Sequence, residues 1–212
     1  MDEVKRTYDV SGRRQRALER RRAVLVAAQE LFERQGFRST TLAAVADRAG
    51  VSVKGLYNSF GSKADLAKAV FDLVIAGDDQ PVAVAERTEH QGMRDEPDVR
   101  SKIKMFVDGL VRRQERSAKV QILIRDGRHV DDSLARVWDQ LANEALTGAS
   151  VAGKLFLDTG QLHAGIELED VRDVLWNYFM IDGYERLVLH RGWTLQRYAD
   201  WLTKTVIDAL CA

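Results

Sequence analysis

The stretch that leaves the chain least conformational freedom is residues 39–66, STTLAAVADRAGVSVKGLYNSFGSKADL. Leu42, Val45, Ala46 and Ala49 fall at i, i+3, i+4 and i+7, which is one apolar face of a helix. Thr40 or Thr41 can cap that helix by accepting a backbone N–H. Gly50 stands where the helix must stop, because glycine adopts the left-handed conformation at no steric cost. Val51 is placed to plug the corner, and Ser52 to cap a second helix whose apolar contacts are Leu56 and Phe60. Gly61 ends that helix, and Ser62 opens the next with Asp65 at capping-box spacing. Helix, tight glycine turn, helix is the helix-turn-helix pattern; its second helix fits the major groove of DNA while the first crosses the backbone. The outward residues of the second helix, Val53, Lys54, Gly55, Asn58 and Ser59, are short, polar or basic and suit that use. A helical corner inside an ordinary all-α core would show the same pattern, with Lys54 and Asn58 merely solvated.

The charge distribution separates these alternatives. Net charge is zero, but residues 1–63 carry 13 Lys and Arg against 7 Asp and Glu, while the remaining 149 residues carry 19 against 25. A basic end beside an acidic body implies a polyanionic partner for the N-terminal part alone. Residues 1–18 include Lys5, Arg6, Arg13, Arg14 and Arg16 without apolar periodicity. They read as a disordered basic arm, either lying on phosphates or in a minor groove, or a solvated tail. The first helix is expected over 19–35, with Val24, Ala27, Ala28, Leu31 and Phe32 as its buried stripe. Arg20, Arg21 and Arg22 crowd its N-terminal end, where cations are unfavourable and a phosphate backbone would offset the cost.

The run AGVSVKGLYNSFGSKADL resembles the DNA-binding segment of the TetR (tetracycline repressor-like) transcriptional regulators. The resemblance lies in the small residue and glycine before Val51-Ser52, in Leu56-Tyr57, Phe60 and Ser62-Lys63, and in the closing Leu66. Upstream, AAQELFERQGFRSTTL is similar to the family's first helix and its link to the second through Ala27, Leu31, Phe32, Gly36, Phe37, Thr40 and Thr41. The likeness covers roughly residues 20–70. It implies phosphate contacts from Thr41, Tyr57 and Lys63, with Thr40 and Ser59 beside them, and groove-facing positions at Ser52, Val53, Lys54, Gly55 and Asn58. Many members carry Gly and then Ser or Thr where this chain has Lys54-Gly55, so base preference does not transfer.

The remainder reads as all-α: an N-terminal helix-turn-helix domain (19–66) followed by a larger helical domain (67–212). Two prolines and no sustained alternation at period two leave no basis for a sheet, and no apolar run approaches the roughly 18 residues of a membrane span. The N-terminus is charged rather than signal-like, and the single cysteine, Cys211, suits a reducing cytoplasm. A helix after Ser62, carrying Leu66, Ala69, Val70, Leu73 and Val74, is the continuous element leaving the DNA-binding unit. Gly77–Pro97 suggests loops or a broken helix, with a solvated His90. Five helices are expected beyond, over about 98–115, 118–127, 131–155, 168–190 and 194–210. The small residues TGASVAG would let another backbone approach.

The last two helices are apolar on more than one face and so need two partners. They also resemble the family's C-terminal domain through Leu175-Trp176, Leu187-Val188, Arg191-Gly192-Trp193, Tyr198 and Trp201-Leu202. The resemblance implies a homodimer joined by a four-helix interface and a cavity for a small effector. Phe106, Leu110, Trp138, Leu141, Trp176, Asn177, Phe179 and Met180 are candidates for the wall, with Asn177 or Asp182 orienting a mostly apolar molecule.

No phosphate loop, HExxH, paired CxxC or nucleophile motif occurs. Histidines 90, 129, 163 and 190 are scattered, and Asp126, His129, Asp131 and Asp132 read as a solvated corner rather than a metal site. The chain is therefore read as no enzyme, with no cofactor. The expected function is a sequence-specific DNA-binding regulator: a repressor released from a palindromic operator by an effector. The alternative is an effector-independent architectural DNA-binding protein.

Overall fold

The computed structural model describes residues 10–76 and 88–211. Among them the secondary structure is helical, apart from one isolated antiparallel bridge between Leu162 and Cys211. The chain divides into two compact units, with the boundary between Val70 and Phe71.

The first unit opens on α1, Val10–Ser39, interrupted at Gly36, whose φ of 77° and ψ of 172° are not helical. The break lets Phe37 fold back and stack on Phe32, with ring centroids 5.8 Å apart. The helix begins well ahead of the expected residue 19, so residues 10–18 of the expected basic arm are helical. Polar helices can be held by pairs at i, i+4, and Gln15 Nε2 donates to Glu19 Oε1 at 3.1 Å. Arg20 to Arg22 consequently sit mid-helix, away from its positive end. Residues 1–9, with Lys5 and Arg6, lie outside the described residues.

Then follow α2 (Leu42–Ala49), α3 (Val53–Phe60) and α4 (Lys63–Ala76). Val24, Ala28, Leu31, Phe32, Val45, Leu56, Leu66 and Val70 are buried as the unit's core. At roughly 1.5–3 kcal/mol for each large apolar side chain taken out of water, this core fixes the angle between α2 and α3.

The second unit holds α5 (Thr88–Asp95), α6 (Val99–Gly127), α7 (Asp132–Leu157), α8 (Leu168–Phe179), the single turn α9 (Asp182–Tyr184) running into π-helical Glu185–His190, and α10 (Leu195–Leu210). Residues 77–87 of the expected irregular stretch, and the His90 side chain, lie outside the described residues. Two expectations are corrected. The helices expected over 98–115 and 118–127 are one helix, because Ser117 satisfies its hydroxyl inside the helix by donating to the Arg113 carbonyl at 2.8 Å. The helix expected over 168–190 breaks at Met180, whose ψ of 149° is extended.

Small residues on α7 do what their spacing predicts. A Cβ at Gly153 would stand 3.2 Å from Val171 Cγ1 and 3.6 Å from the Arg172 backbone nitrogen on α8. Ile103, Phe156, Leu175, Tyr198, Leu202 and Leu210 are fully enclosed at the centre of this unit.

Candidate nucleic-acid interface and ligand cavity

The α2–α3 corner is built from local capping. Thr41 Oγ1 accepts from the Ala44 N–H at 3.1 Å, and Ser52 Oγ from the Gly55 N–H at 3.0 Å. Gly50 is left-handed (φ 67°, ψ 33°) and gives its N–H to the Ala46 and Asp47 carbonyls. The Val51 N–H joins the Ala46 carbonyl at 2.9 Å. Leu56 and Phe60 face the core, leaving Ser52, Val53, Lys54, Gly55, Tyr57, Asn58 and Ser59 exposed on α3. Tyr57 is a large ring left 54% exposed. Arg38, Thr41, Val53, Tyr57 and Lys63 border an open crevice of about 450 Å³.

Three basic or polar positions have internal work as well. Lys63 Nζ donates to the carbonyls of Phe37 (2.7 Å) and Thr40 (2.9 Å) and lies 4.2 Å from the Phe37 ring centroid. Thr40 is completely buried, and its hydroxyl donates to the Gly36 carbonyl at 2.8 Å. Thr40 thus closes the α1 break, and the residue also borders the crevice with Thr41, Tyr57 and Lys63. Ser59 Oγ donates to the Gly55 carbonyl at 2.9 Å. Arg21 lies 4.4 Å from the Phe60 ring centroid, bracing α1 on the end of α3.

The second unit contains a cavity of about 440 Å³. Its apolar wall is Phe71, Ile75, Met93, Phe106, Leu110, Leu141, Ala145, Val151, Ala152 and Phe179; its polar wall is Asp72, Arg113, Gln114, Ser117, Gln121 and Glu144. Four sequence candidates therefore meet there: Phe106, Leu110, Leu141 and Phe179. The others do not line it. The Trp138 ring lies under the Arg128 guanidinium at 4.9 Å. Trp176 Nε1 donates to the Ala142 carbonyl at 3.1 Å, tying α8 to α7. Asn177 is exposed, and Met180 marks the break in α8. Asp182 is paired with Arg125 Nη1 at 3.1 Å rather than orienting a ligand. Arg125 also meets Glu185 at 2.6 Å, and this hydrogen bond raises the guanidinium's pKa further. At the expected solvated corner, Asp126 pairs with Arg125 and Asp131 caps α7.

The sequence reading missed Gln114, Ser117 and Gln121. The signal was present: the buried stripe of Ile103, Phe106 and Leu110 continues along α6 at helical spacing into these three polar residues, all buried.

Residues 24–70 match the family model described as bacterial regulatory proteins, tetR family. The transcriptional activator FasR of Mycolicibacterium smegmatis is 30% identical over 135 residues, covering 62% of this chain and 57% of its own. This chain thus spans little more than half the length of that curated relative. A solved structure assigned to the TetR family, from Rhodococcus sp., aligns at a TM-score of 0.70 with 19% identity, over 92% of this chain and 99% of that one. FadR of Bacillus subtilis in complex with stearoyl-CoA aligns at 0.69 with 13% identity, over 89% and 98%. NalD of Pseudomonas aeruginosa, a repressor of a multidrug efflux pump, aligns at 0.62 with 19% identity, over 92% and 98%. The helix-turn-helix unit, residues 24–70, is thus matched to the tetR family of bacterial regulatory proteins, and the fold along most of the chain is that of structures assigned to the same family.

Proposed function

We propose that this chain is a dimeric transcriptional regulator that reads a palindromic operator and changes its grip when a small, mostly apolar molecule enters the cavity of the second unit. The observation carrying the DNA half is the capped, exposed face of α3, with Lys54, Tyr57 and Asn58 outward on a basic unit. Val53, Lys54, Gly55 and Asn58 would meet base edges. Thr41, Tyr57 and Lys63 would meet phosphates.

The effector half rests on an apolar cavity of about 440 Å³, a size usual for small-molecule sites. FadR, similar in fold, has been solved with stearoyl-CoA. The end of α4 contributes Phe71 and Ile75 to the cavity wall, and α4 begins in the first unit at Lys63. Occupancy would therefore shift α4, and two recognition helices that must match groove spacing together would lose register. The outcome proposed is repression relieved by the effector. Activation is the second reading, favoured by FasR being an activator. Reporter expression in a deletion strain, with and without the protein, separates them.

Selection of genomic fragments by the purified protein tests the core of the reading. An enriched inverted repeat, bound about 10³-fold or more tighter than random DNA at fixed salt, is expected. Uniform affinity would instead make this an architectural DNA-binding protein.

A further inference from the structure

Gln114, Ser117 and Gln121 are the enclosed polar groups along the cavity, and Gln114 is the one with an unmade hydrogen bond. Its side chain is 2% exposed, and it sits on α6 one turn before Ser117 and two before Gln121. Its amide orientation is settled by its neighbours. Nε2 donates to the Tyr178 carbonyl at 3.0 Å and the Met180 carbonyl at 3.4 Å. Carbonyls only accept, so the NH₂ end must face the break in α8. Oε1 is left buried without a hydrogen-bond partner.

An unmade hydrogen bond on a buried carbonyl is costly, and buried polar atoms in folded proteins are nearly always satisfied. Here the atom belongs to a residue lining a cavity whose other walls are largely aromatic and aliphatic. An apolar core would have placed leucine or methionine at this register of α6.

We infer that Gln114 Oε1 is the acceptor that reads the effector, and that the effector carries an uncharged hydrogen-bond donor, a hydroxyl or amide N–H, on an apolar body. This rests on the cavity being an effector site and adds the chemistry of the group it recognises. A molecule ending only in acceptors, such as an ester or a carboxylate, would set oxygen against oxygen. Through Nε2 the same amide holds the carbonyls at the α8 break, so an effector bound at Oε1 also pulls on that break.

The test uses four ten-carbon probes of one chain type: decan-1-ol, decanamide, methyl decanoate and decanoate. Binding to the full-length protein is followed by calorimetry. The alcohol and the amide are expected to bind at least tenfold more tightly than the methyl ester and decanoate. In Gln114→Leu that preference should shrink to threefold or less, with the ester's affinity retained. Equal binding of alcohol, amide and ester by the wild-type protein would overturn the role of Oε1 while leaving the cavity an effector site. That ranking stands even if Gln114→Leu fails to fold. Failure of all four probes to bind would remove the effector reading itself, and this inference with it.

Discussion

The Lys63 ammonium sits 2.9 Å from the Thr40 carbonyl and 2.7 Å from that of Phe37, so the first residue of α4 stitches down the link between α1 and α2. A family-type phosphate contact by Lys63 would thus come from a side chain that also holds the motif together. Charged hydrogen bonds of this kind contribute about 1.5–3 kcal/mol each, discounted here because Lys63 is only part-buried. Lys63→Ala should weaken binding to all DNA sequences about equally and lower the salt slope by ~1. It should also lower the melting temperature of DNA-free protein, which a contact made only to phosphate would not. An unchanged melting curve would mean that the carbonyl contacts contribute nothing.

Asn58 and Gly55 separate base reading from simple proximity. Asn58 is exposed on α3 with Gly55 one turn before it. Asn58→Ala should relax preference at one base pair by ~1–3 kcal/mol if the contact is bidentate to adenine; equal loss on operator and random DNA would remove it from the readout set. At Gly55 a Cβ would lie 3.0 Å from Ser52 Oγ, pressing on the cap of α3. Gly55→Glu adds a bulky anion against the groove and should abolish operator binding in a mobility-shift assay.

The α2–α3 corner was legible almost residue by residue because its determinants are local. Thr41, Gly50, Ser52 and Gly61 each act on backbone groups within four residues. The break after Phe179 was illegible for the opposite reason. No proline or glycine stands at Met180, and the carbonyls freed there are held by Gln114, 64 and 66 residues away in sequence. Thr40 and Thr41 could not be ranked as caps without knowing that Gly36 breaks α1 and turns Thr40 inward. In the cavity, Phe106 and Leu141 look like core by pattern, and so do Trp138 and Trp176. Only the packing shows which aromatic ring borders open space and which is covered by a guanidinium.

The dimer proposal is best probed at Leu189, left 50% exposed in the π-helical segment. Trp201 is also outward, but its ring packs within its own chain against Tyr178, Trp193 and Tyr198, so Trp201→Asp would damage the fold as well as any interface. Leu189→Asp should give monomers by sedimentation, with helical content kept and operator affinity much reduced. Half-sites spaced about one helical turn (~34–36 Å), or a multiple of it, require two recognition helices at once. A wild-type protein that is monomeric at micromolar concentration would end the proposal.

Alkaline stability should report on Tyr198. Burial raises its phenol from about 10 to about 12, and burial raises Tyr184 in the same direction. Between pH 10 and 12 the unfolded chain therefore loses the Tyr198 proton before the folded one does. Stability is complete below pH 10 and falls as pH rises towards 12, by at most about 1.4 kcal/mol per pH unit for one such group. Tyr198→Phe should flatten the fall without removing the part due to Tyr184. Denaturant melts at pH 9, 10.5 and 11.5 measure it, and identical slopes for wild type and variant would rule it out.

Leu141 offers the most direct test of coupling between cavity and operator. It borders the cavity, so Leu141→Trp adds bulk into open space rather than into packed core, where overpacking would cost about 1–3 kcal/mol. The variant should bind operator with near wild-type affinity in effector-free buffer and lose the response to any small molecule that releases the wild type. Trp138→Ala is the contrasting variant. Its ring lies under Arg128, so the effector's dissociation constant should not change. For the wild type, linkage requires operator DNA to weaken effector binding by the same factor as effector weakens operator binding, typically ~1–3 kcal/mol of coupling. Titrating effector into protein alone and into the protein–operator complex measures both sides. Equal effector affinity in the two titrations would show that the cavity does not communicate with the DNA-binding unit.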